Sequence, residues 1–544
     1  MSDKKKVLHL LPDQYCWLIT ALVLFVPSII FQEMGKSRWA LFFLTFSGCA
    51  MYFFAATLCP FLNLWDEQYH ALVAKNCMEH PFTPMLYSDT NIPGHSYNFW
   101  PSSNIWLHKQ PLFLWQIALS FKIFGVSELS LRLPSVIMCT LLIPIGYRIA
   151  KLLTNQIIAY FTAISIAFSW YLLLLTSGME PVDQNDVCFI FYISASLWAL
   201  TEYLHDKRRH WQWSMVIGLL AGCAILTKWL VGLLVFLTWA FYLLFEYRLH
   251  LKDWKIGHYL LALGITLMIA LPWQIYILQR FPIQAHQELF YNFTHFNQVV
   301  EGHQEKALFY LIILPWQYIG RGFKPYQFNF QWNAYTLITY LILFTGFIML
   351  LRTIRKRSES FSILATLLFV YLFFSLAKTK MPAFTFTTCL IWFMSIGTFT
   401  EKISLLIGKI IKHPIFQKIL ISFLILGSGY YQSNFGHQYI NYGGNVENRM
   451  YNRLLFKQLG TSLPTNCYVF HTMTTHNGQR DISWGVFGTF YSNRQCYSEL
   501  PSIEVIKQLQ KKGYSVAIFD TQDLSEGYRE DNSIILIRDT LRAP

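Results

Sequence analysis

Long apolar stretches with almost no charge constrain this chain more than any other feature. Residues 18–31, 40–58, 213–226, 260–272 and 361–376 are of this kind. A helix needs about 20 predominantly apolar residues to cross a bilayer. One short block would read as a buried core helix, but about a dozen in one chain cannot be absorbed that way. Composition agrees, with 54% hydrophobic and 13% charged residues, where soluble proteins carry about a quarter charged. The expected fold is a polytopic α-helical membrane protein with about 12–13 transmembrane helices.

The formal charge of +13 would suit nucleic acid or a membrane, and its distribution decides for the membrane. Compact basic clusters fall at 205–210, 248–255, 352–357 and 402–418, between apolar blocks. Such loops stay in the cytoplasm. Alternation then puts residues 60–110, 176–185, the turn at Thr227 and Lys228, 277–306, 377–382 and everything after residue 432 on the outer side. Lys36 and Arg38 fit this scheme, while Lys4, Lys5 and Lys6 run against it if the first block spans. That block lacks a cleavage pattern and reads as a retained helix or anchor. Residues 308–319, broken by Pro315, are too short to span and read as re-entrant or interfacial.

Two regions follow: a membrane domain at 1–432 with a large outer loop at 60–110, and an extracytoplasmic domain at 433–544. In the latter, 468–470, 516–519 and 534–537 read as short buried strands, and 503–512 has helical spacing. This alternation predicts a small α/β domain. Most of the ten cysteines lie in apolar blocks, as small packing residues. Cys467 and Cys496 share the polar C-terminal part and are candidates for one disulfide in an oxidising compartment. No nucleotide-phosphate loop, internal repeat or low-complexity tract is present, which argues against an NTP-driven engine.

The polar residues hardest to explain structurally gather on the outer side. Asp66 and Glu67 directly follow an apolar helix, where two carboxylates are costly unless solvated or paired. They read either as helix-start acids or as a general base beside a ligand. Lys109 reads as a snorkelling anchor or as a phosphate partner. Asp183 and Asp186 fall one helical turn apart. Lys228, Lys378 and Lys380 stand near outer helix ends, against the usual charge bias. His286, His295 and His303 follow in the 277–306 loop. His108, Glu67, His295 and His303 form a possible site for zinc, manganese or magnesium, although no tight ligand spacing backs it. No cofactor is otherwise required.

Three features, in order, resemble membrane glycosyltransferases that use polyprenyl-phosphate sugars: the GT-C superfamily of aminoarabinose transferases and protein O-mannosyltransferases. One is Asp66, Glu67 and Tyr69 opening a long first outer loop. The second runs from His108, Lys109, Gln110 and Pro111 through Phe124 to Glu128 and on to Arg132, Pro134 and Ser135. The third joins Leu226, Thr227 and Lys228 to residues 375–382. The resemblance spans roughly residues 60–400. The chain departs from the pattern at Gln110, where proline is commoner, and at Trp229, where glycine is usual. Another departure is 183–186, which replaces a Thr-Asp pair.

The resemblance implies an inverting transferase that moves a sugar from a polyprenyl-phosphate donor to a hydroxyl or phosphate of lipid A, a glycan or a protein. Asp66 would be the catalytic base. Glu67, Tyr69, Asp183 and Asp186 would orient acceptor and sugar, while Lys109, Lys378, Lys380 and Arg321 would bind the donor phosphate. Its partners would be the lipid-linked donor, the acceptor and membrane lipids, with no nucleic acid. Its place would be a bacterial inner membrane, with the site on the periplasmic face. A transporter or flippase of lipid-linked sugars is the alternative, but it would usually concentrate polar groups at the bilayer midplane, often with paired repeats.

Overall fold

A computed structural model of the chain describes residues 12–63, 66–87, 92, 100–178, 183–206, 208–247, 255–319, 334–410, 446–472, 483–521 and 524–538. Arg321 lies outside them, as do the lysines at 4–6. Among the described residues, ten helical segments are long and apolar enough to cross a membrane. His210–Tyr247 counts as one of them, although the chain folds back inside it. A Cβ on Gly232 would meet the backbone of Ile225 at 2.6 Å and of Ala224 at 2.8 Å. Residues seven and eight apart touch that closely only if the helix reverses.

The chain divides into two compact units. Unit 1 comprises Met1–Leu58, Arg132–Arg280 and Leu289–Tyr442. Its helices are α1 (Pro12–Glu33), α2 (Ser37–Thr57), α5 (Glu128–Leu153) from Arg132 onward, α6 (Gln156–Ala167), α7 (Trp170–Ser177), α8 (Asp183–His205), α9 (His210–Lys228), α10 (Leu234–Tyr247), α11 (Ile256–Arg280), the end of α12 (Pro282–Asn297), α15 (Ala334–Thr353), α16 (Arg357–Leu376), α17 (Ala383–Phe386) and α18 (Cys389–Ile410). Residues 308–319, expected to be too short to span, form two short helices, α13 (Phe309–Ile312) and α14 (Leu314–Ile319).

Lipid tails are as apolar as leucine, so packing between membrane helices relies on close backbone approach at small residues. Gly218 and Gly222 supply it between α9 and α11: a Cβ on Gly222 would meet Ile269 Cβ at 2.7 Å, and the Thr266 hydroxyl donates to Gly218 O at 3.0 Å. The basic loops meet at one end of this unit. There Arg355 N–H donates to Leu153 O, Asn155 donates to Glu401, and His205 lies 3.5 Å from Glu359.

Unit 2 comprises Cys59–Leu131, Phe281–Glu288 and Gly443–Pro544. It holds α3 (Asp66–Cys77), α4 (Leu112–Phe124), α19 (Val446–Ser462), α20 (Ser483–Ser492), α21 (Ile503–Lys511) and a four-stranded sheet. The strands are β1 (Cys467–Phe470), β2 (Gln495–Cys496), β3 (Ser515–Phe519) and β4 (Ile534–Ile537), all parallel in the order β2-β1-β3-β4. The small α/β domain is therefore as expected. The proposed disulfide is not: Cys467 and Cys496 are free thiols. Cys496 stands opposite Val469, and Cys467 opposite Ser515, so the two are out of register. Burial pushes the Cys496 thiol up to about 12 and the Cys467 thiol up to about 11.

Glu128 ties this unit together. It accepts from Arg453 Nε at 2.6 Å and from the Tyr491 hydroxyl at 2.8 Å, and Leu62 N–H donates to that hydroxyl at 3.0 Å. Lys75 donates to Phe490 O at 2.7 Å and to Asn493, and Tyr87 stacks on Tyr497. The long first loop thus packs with the C-terminal domain.

Candidate active site

The first constellation lies in unit 2, where α3 begins. Asp66 and Glu67 occupy its first turn, where exposed backbone N–H groups favour acids. Both are buried, at 7% and 1% exposure, but their surroundings differ. One oxygen of Glu67 accepts from Asn63 N–H at 2.6 Å and from Asn63 Nδ2 at 3.0 Å. Arg449 in turn donates to Asn63 Oδ1 at 3.1 Å. Glu67 is thus a clamp on the turn entering α3. The Asp66 carboxylate makes no hydrogen bond or ion pair with the described residues. A buried carboxylate held at a helix start, with no partner among the described residues, is free to accept a proton from something that arrives.

Aromatic rings wall the same helix. Tyr69 meets Trp100 edge-on at 4.9 Å, and Trp100 stacks flat on His108 at 4.3 Å and 5°. His70 packs against Phe113 and Trp106. His108 Nδ1 stands 3.3 Å from Glu288 Oε2. Lys109 beside it is half-buried, with no partner among the described residues.

The second constellation belongs to unit 1, at the end opposite the basic loops. Asp186, in the first turn of α8, is paired with Lys228 at the end of α9, and Lys228 also lies over the Phe384 ring at 5.3 Å. Asp183 begins the same helix.

The loop 377–382 is stitched to residues 295–304. Lys378 N–H donates to Phe296 O, Thr379 N–H to His295 O and Lys380 N–H to His303 O. The Thr379 hydroxyl donates to Gln298 O and accepts from Val300 N–H. Lys378 is exposed, whereas Lys380 is 6% exposed and donates to Ala377 O at 2.6 Å. Burial, and then the like charge of Lys378, hold the Lys380 ammonium below the ordinary lysine range, with Glu305 opposing. An ammonium has three donors, so two remain for an anion.

Just beyond Lys228 the backbone is strained. Trp229 has φ 62° and ψ −153°, a region suited to glycine, where any other residue costs about 1–3 kcal/mol.

The structure sorts the expected site residues. Asp66, Glu67, Tyr69, His108 and Lys109 gather in unit 2; Asp183, Asp186, Lys378, Lys380, His295 and His303 belong to unit 1. The last two histidines contribute their backbone carbonyls to the loop pairing. Among the described residues, no three His, Cys, Asp or Glu side chains are placed to share a metal ion. From the run that leads into α5, Glu128 and Arg132 serve the fold: Glu128 as above, and Arg132, fully buried, by donating to Ala56 O at 2.9 Å. Sequence reasoning missed Glu288, Trp106, His70 and the Asp186–Lys228 pair.

The architecture is similar in fold to that of solved membrane transferases. Residues 108–276 match the family described as dolichyl-phosphate-mannose-protein mannosyltransferase. An uncharacterized protein of Aquifex aeolicus is 26% identical over 295 residues, 52% of this chain and 51% of that protein. An undecaprenyl phosphate-alpha-4-amino-4-deoxy-L-arabinose arabinosyl transferase of Pseudomonas fluorescens is 25% identical over 289 residues, covering 50% and 45%. The aligned region thus spans about half the length of these curated relatives.

Among solved structures, ArnT from Cupriavidus metallidurans bound to undecaprenyl phosphate superimposes with a TM-score of 0.60 at 14% identity, covering 86% of this chain and 87% of that one. The oligosaccharyltransferase AglB of Archaeoglobus fulgidus gives 0.53 at 12% identity, covering 84% and 64%. At these identities the likeness is one of fold.

Proposed function

We propose that this protein is an inverting glycosyltransferase that takes a sugar from a polyprenyl-phosphate donor at the extracytoplasmic face of a bacterial inner membrane. The acceptor is an envelope hydroxyl or phosphate on lipid A, a glycan or a protein. The observation that carries the reading is the contrast at the start of α3: Glu67 is locked to Asn63, and Asp66 is buried and left open.

In the proposed step the acceptor oxygen attacks the anomeric carbon and its proton passes to Asp66. The bond from that carbon to the phosphate oxygen breaks, and the lipid phosphate leaves as an anion. It needs positive charge rather than a proton. Lys109, Lys378 and Lys380 are assigned to this task, with Arg321 proposed from the sequence alone. Tyr69, Asp183 and Asp186 are assigned to orienting sugar and acceptor. The relatives support the donor class, since one is an undecaprenyl phosphate-aminoarabinose transferase and one structure holds undecaprenyl phosphate.

The test is purified protein in liposomes, given undecaprenyl phosphate carrying a radiolabelled sugar, with lipid A or protein as acceptor. Transfer of label establishes the class. Movement of the intact labelled lipid between leaflets without transfer would favour a flippase instead. Dialysis against EDTA tests whether turnover needs a divalent ion: activity lost and restored by zinc, manganese or magnesium supports one, and unchanged turnover removes it.

Lys380 gives a pH signature. Its lowered pKa means the cation is present at neutral pH and lost as pH rises, earlier than for an ordinary lysine at about 10.4. Affinity for undecaprenyl phosphate is expected to fall as pH rises through that window. In Lys380→Met the affinity should be weaker at neutral pH and its decline shallower.

A further inference from the structure

We infer that Thr379 is the positioning residue that sets the Lys380 ammonium for the donor phosphate, which rests on the donor class proposed above and adds a residue not included there. Thr379 is fully buried and stands between Lys378 and Lys380, two of the lysines assigned to that phosphate. A threonine hydroxyl has one proton to give. Here that proton goes to Gln298 O at 3.0 Å, and the oxygen accepts from Val300 N–H at 3.0 Å. A hydroxyl whose only proton is committed in this way cannot donate to a phosphate, so Thr379 acts through its neighbours. The backbone around it is committed as well. The N–H groups of Lys378, Thr379 and Lys380 donate to Phe296 O, His295 O and His303 O. Pro382 O, at the far end of the loop, accepts from the buried Gln317 Nε2 at 2.6 Å. No N–H of residues 378–380 is left for an anion, and the positive charge must come from the lysine side chains.

The link from Thr379 to Lys380 is a local one. The Lys380 ammonium donates to Ala377 O at 2.6 Å, a carbonyl three residues back, and Thr379 lies in the stretch between them. The place of the ammonium therefore follows the path of residues 377–380, and the Thr379 hydroxyl is the side-chain clamp on that path. The like charge of Lys378 also bears on Lys380, so the loop must hold two cations close without yielding. A lysine already held in one place loses less freedom when the anion arrives, which is how preorganisation raises affinity. Without the clamp the loop can relax, and the ammonium leaves its place.

The experiment is binding of radiolabelled undecaprenyl phosphate to the full-length protein in detergent, with the unfolding midpoint measured alongside. Thr379→Val keeps the shape and removes the hydroxyl, and its Kd should rise by about tenfold, within the range of coupling between neighbouring residues. Thr379→Ser keeps both hydrogen bonds and should recover most of that loss. In a Lys380→Met background, adding Thr379→Val should change Kd little, because the group it positions is gone. Should Thr379→Val not stay monodisperse, Thr379→Ala removes the same hydroxyl without crowding and takes its place. An unchanged Kd in Thr379→Val, whatever its unfolding midpoint, would overturn the inference and leave the donor class standing. So would a loss of affinity in Thr379→Ser as large as in Thr379→Val, or an equal loss from Thr379→Val with and without Lys380. A wild type that does not bind undecaprenyl phosphate would overturn the donor class and the inference together.

Discussion

Asp66→Asn should lower turnover by about 10²–10⁴-fold, the usual contribution of a positioned general base, with the fold and donor affinity little changed. The amide is nearly the same size as the carboxylate but cannot take a proton at neutral pH. No described residue bonds to the Asp66 side chain, so the substitution breaks no hydrogen bond or ion pair among the described residues. Glu67→Gln should behave in the opposite way. Its remaining carbonyl oxygen can still accept from Asn63, so stability should drop by about 1 kcal/mol, the net worth of a typical hydrogen bond, and turnover far less than in Asp66→Asn. Measuring kcat and the unfolding midpoint for both variants separates base from clamp. If Glu67→Gln lost as much turnover as Asp66→Asn, the division of labour drawn from the Asn63 contacts would be wrong.

Arg453→Met should destabilise the protein by about 2–3 kcal/mol, because truncating one member of a largely buried, hydrogen-bonded charge pair leaves the other uncompensated. The partner is Glu128, which also accepts from Tyr491. The loss should appear as a lower unfolding midpoint in detergent. Much of it should return in the double variant Glu128→Leu with Arg453→Met, which removes the stranded charge. Failure of the double variant to recover would mean that Glu128 matters through Tyr491 and Leu62 rather than through the ion pair.

The membrane architecture was legible because its signal is local: an apolar block long enough to span needs no partner to be recognised. The strands at 467–470, 515–519 and 534–537 were legible for a similar reason, as short buried runs. Strand β2 was not, since two residues carry no alternation. Helix α20 was hidden by Gly485 and Gly488, which read as breakers. They are there because backbone and ring come close: a Cβ would meet Cys496 O at 2.9 Å and the Phe456 ring at 2.6 Å.

The site was legible by residue type and not by partner. Asp66 and Glu67 look alike in sequence, and only the turn at Asn63 distinguishes them. Asp186 and Lys228 are 42 residues apart, and Glu288 lies 180 residues from His108. Pairing at such separations leaves no pattern in a single sequence. The same holds for Cys467 and Cys496, whose shared compartment suggested a bond that the strand register does not allow. Trp229 was visible only as a departure from a family's glycine, and the positive φ gives that departure a physical meaning.

The most direct test of the central claim is mass spectrometry of envelope lipids, glycans and proteins from cells expressing wild type or Asp66→Asn at matched levels. The expected result is loss of one sugar from one acceptor in the variant, with the lipid-linked sugar accumulating. Identical glycosylation in both strains would contradict the account, removing Asp66 as the base and bringing transport of the lipid-linked sugar to the front.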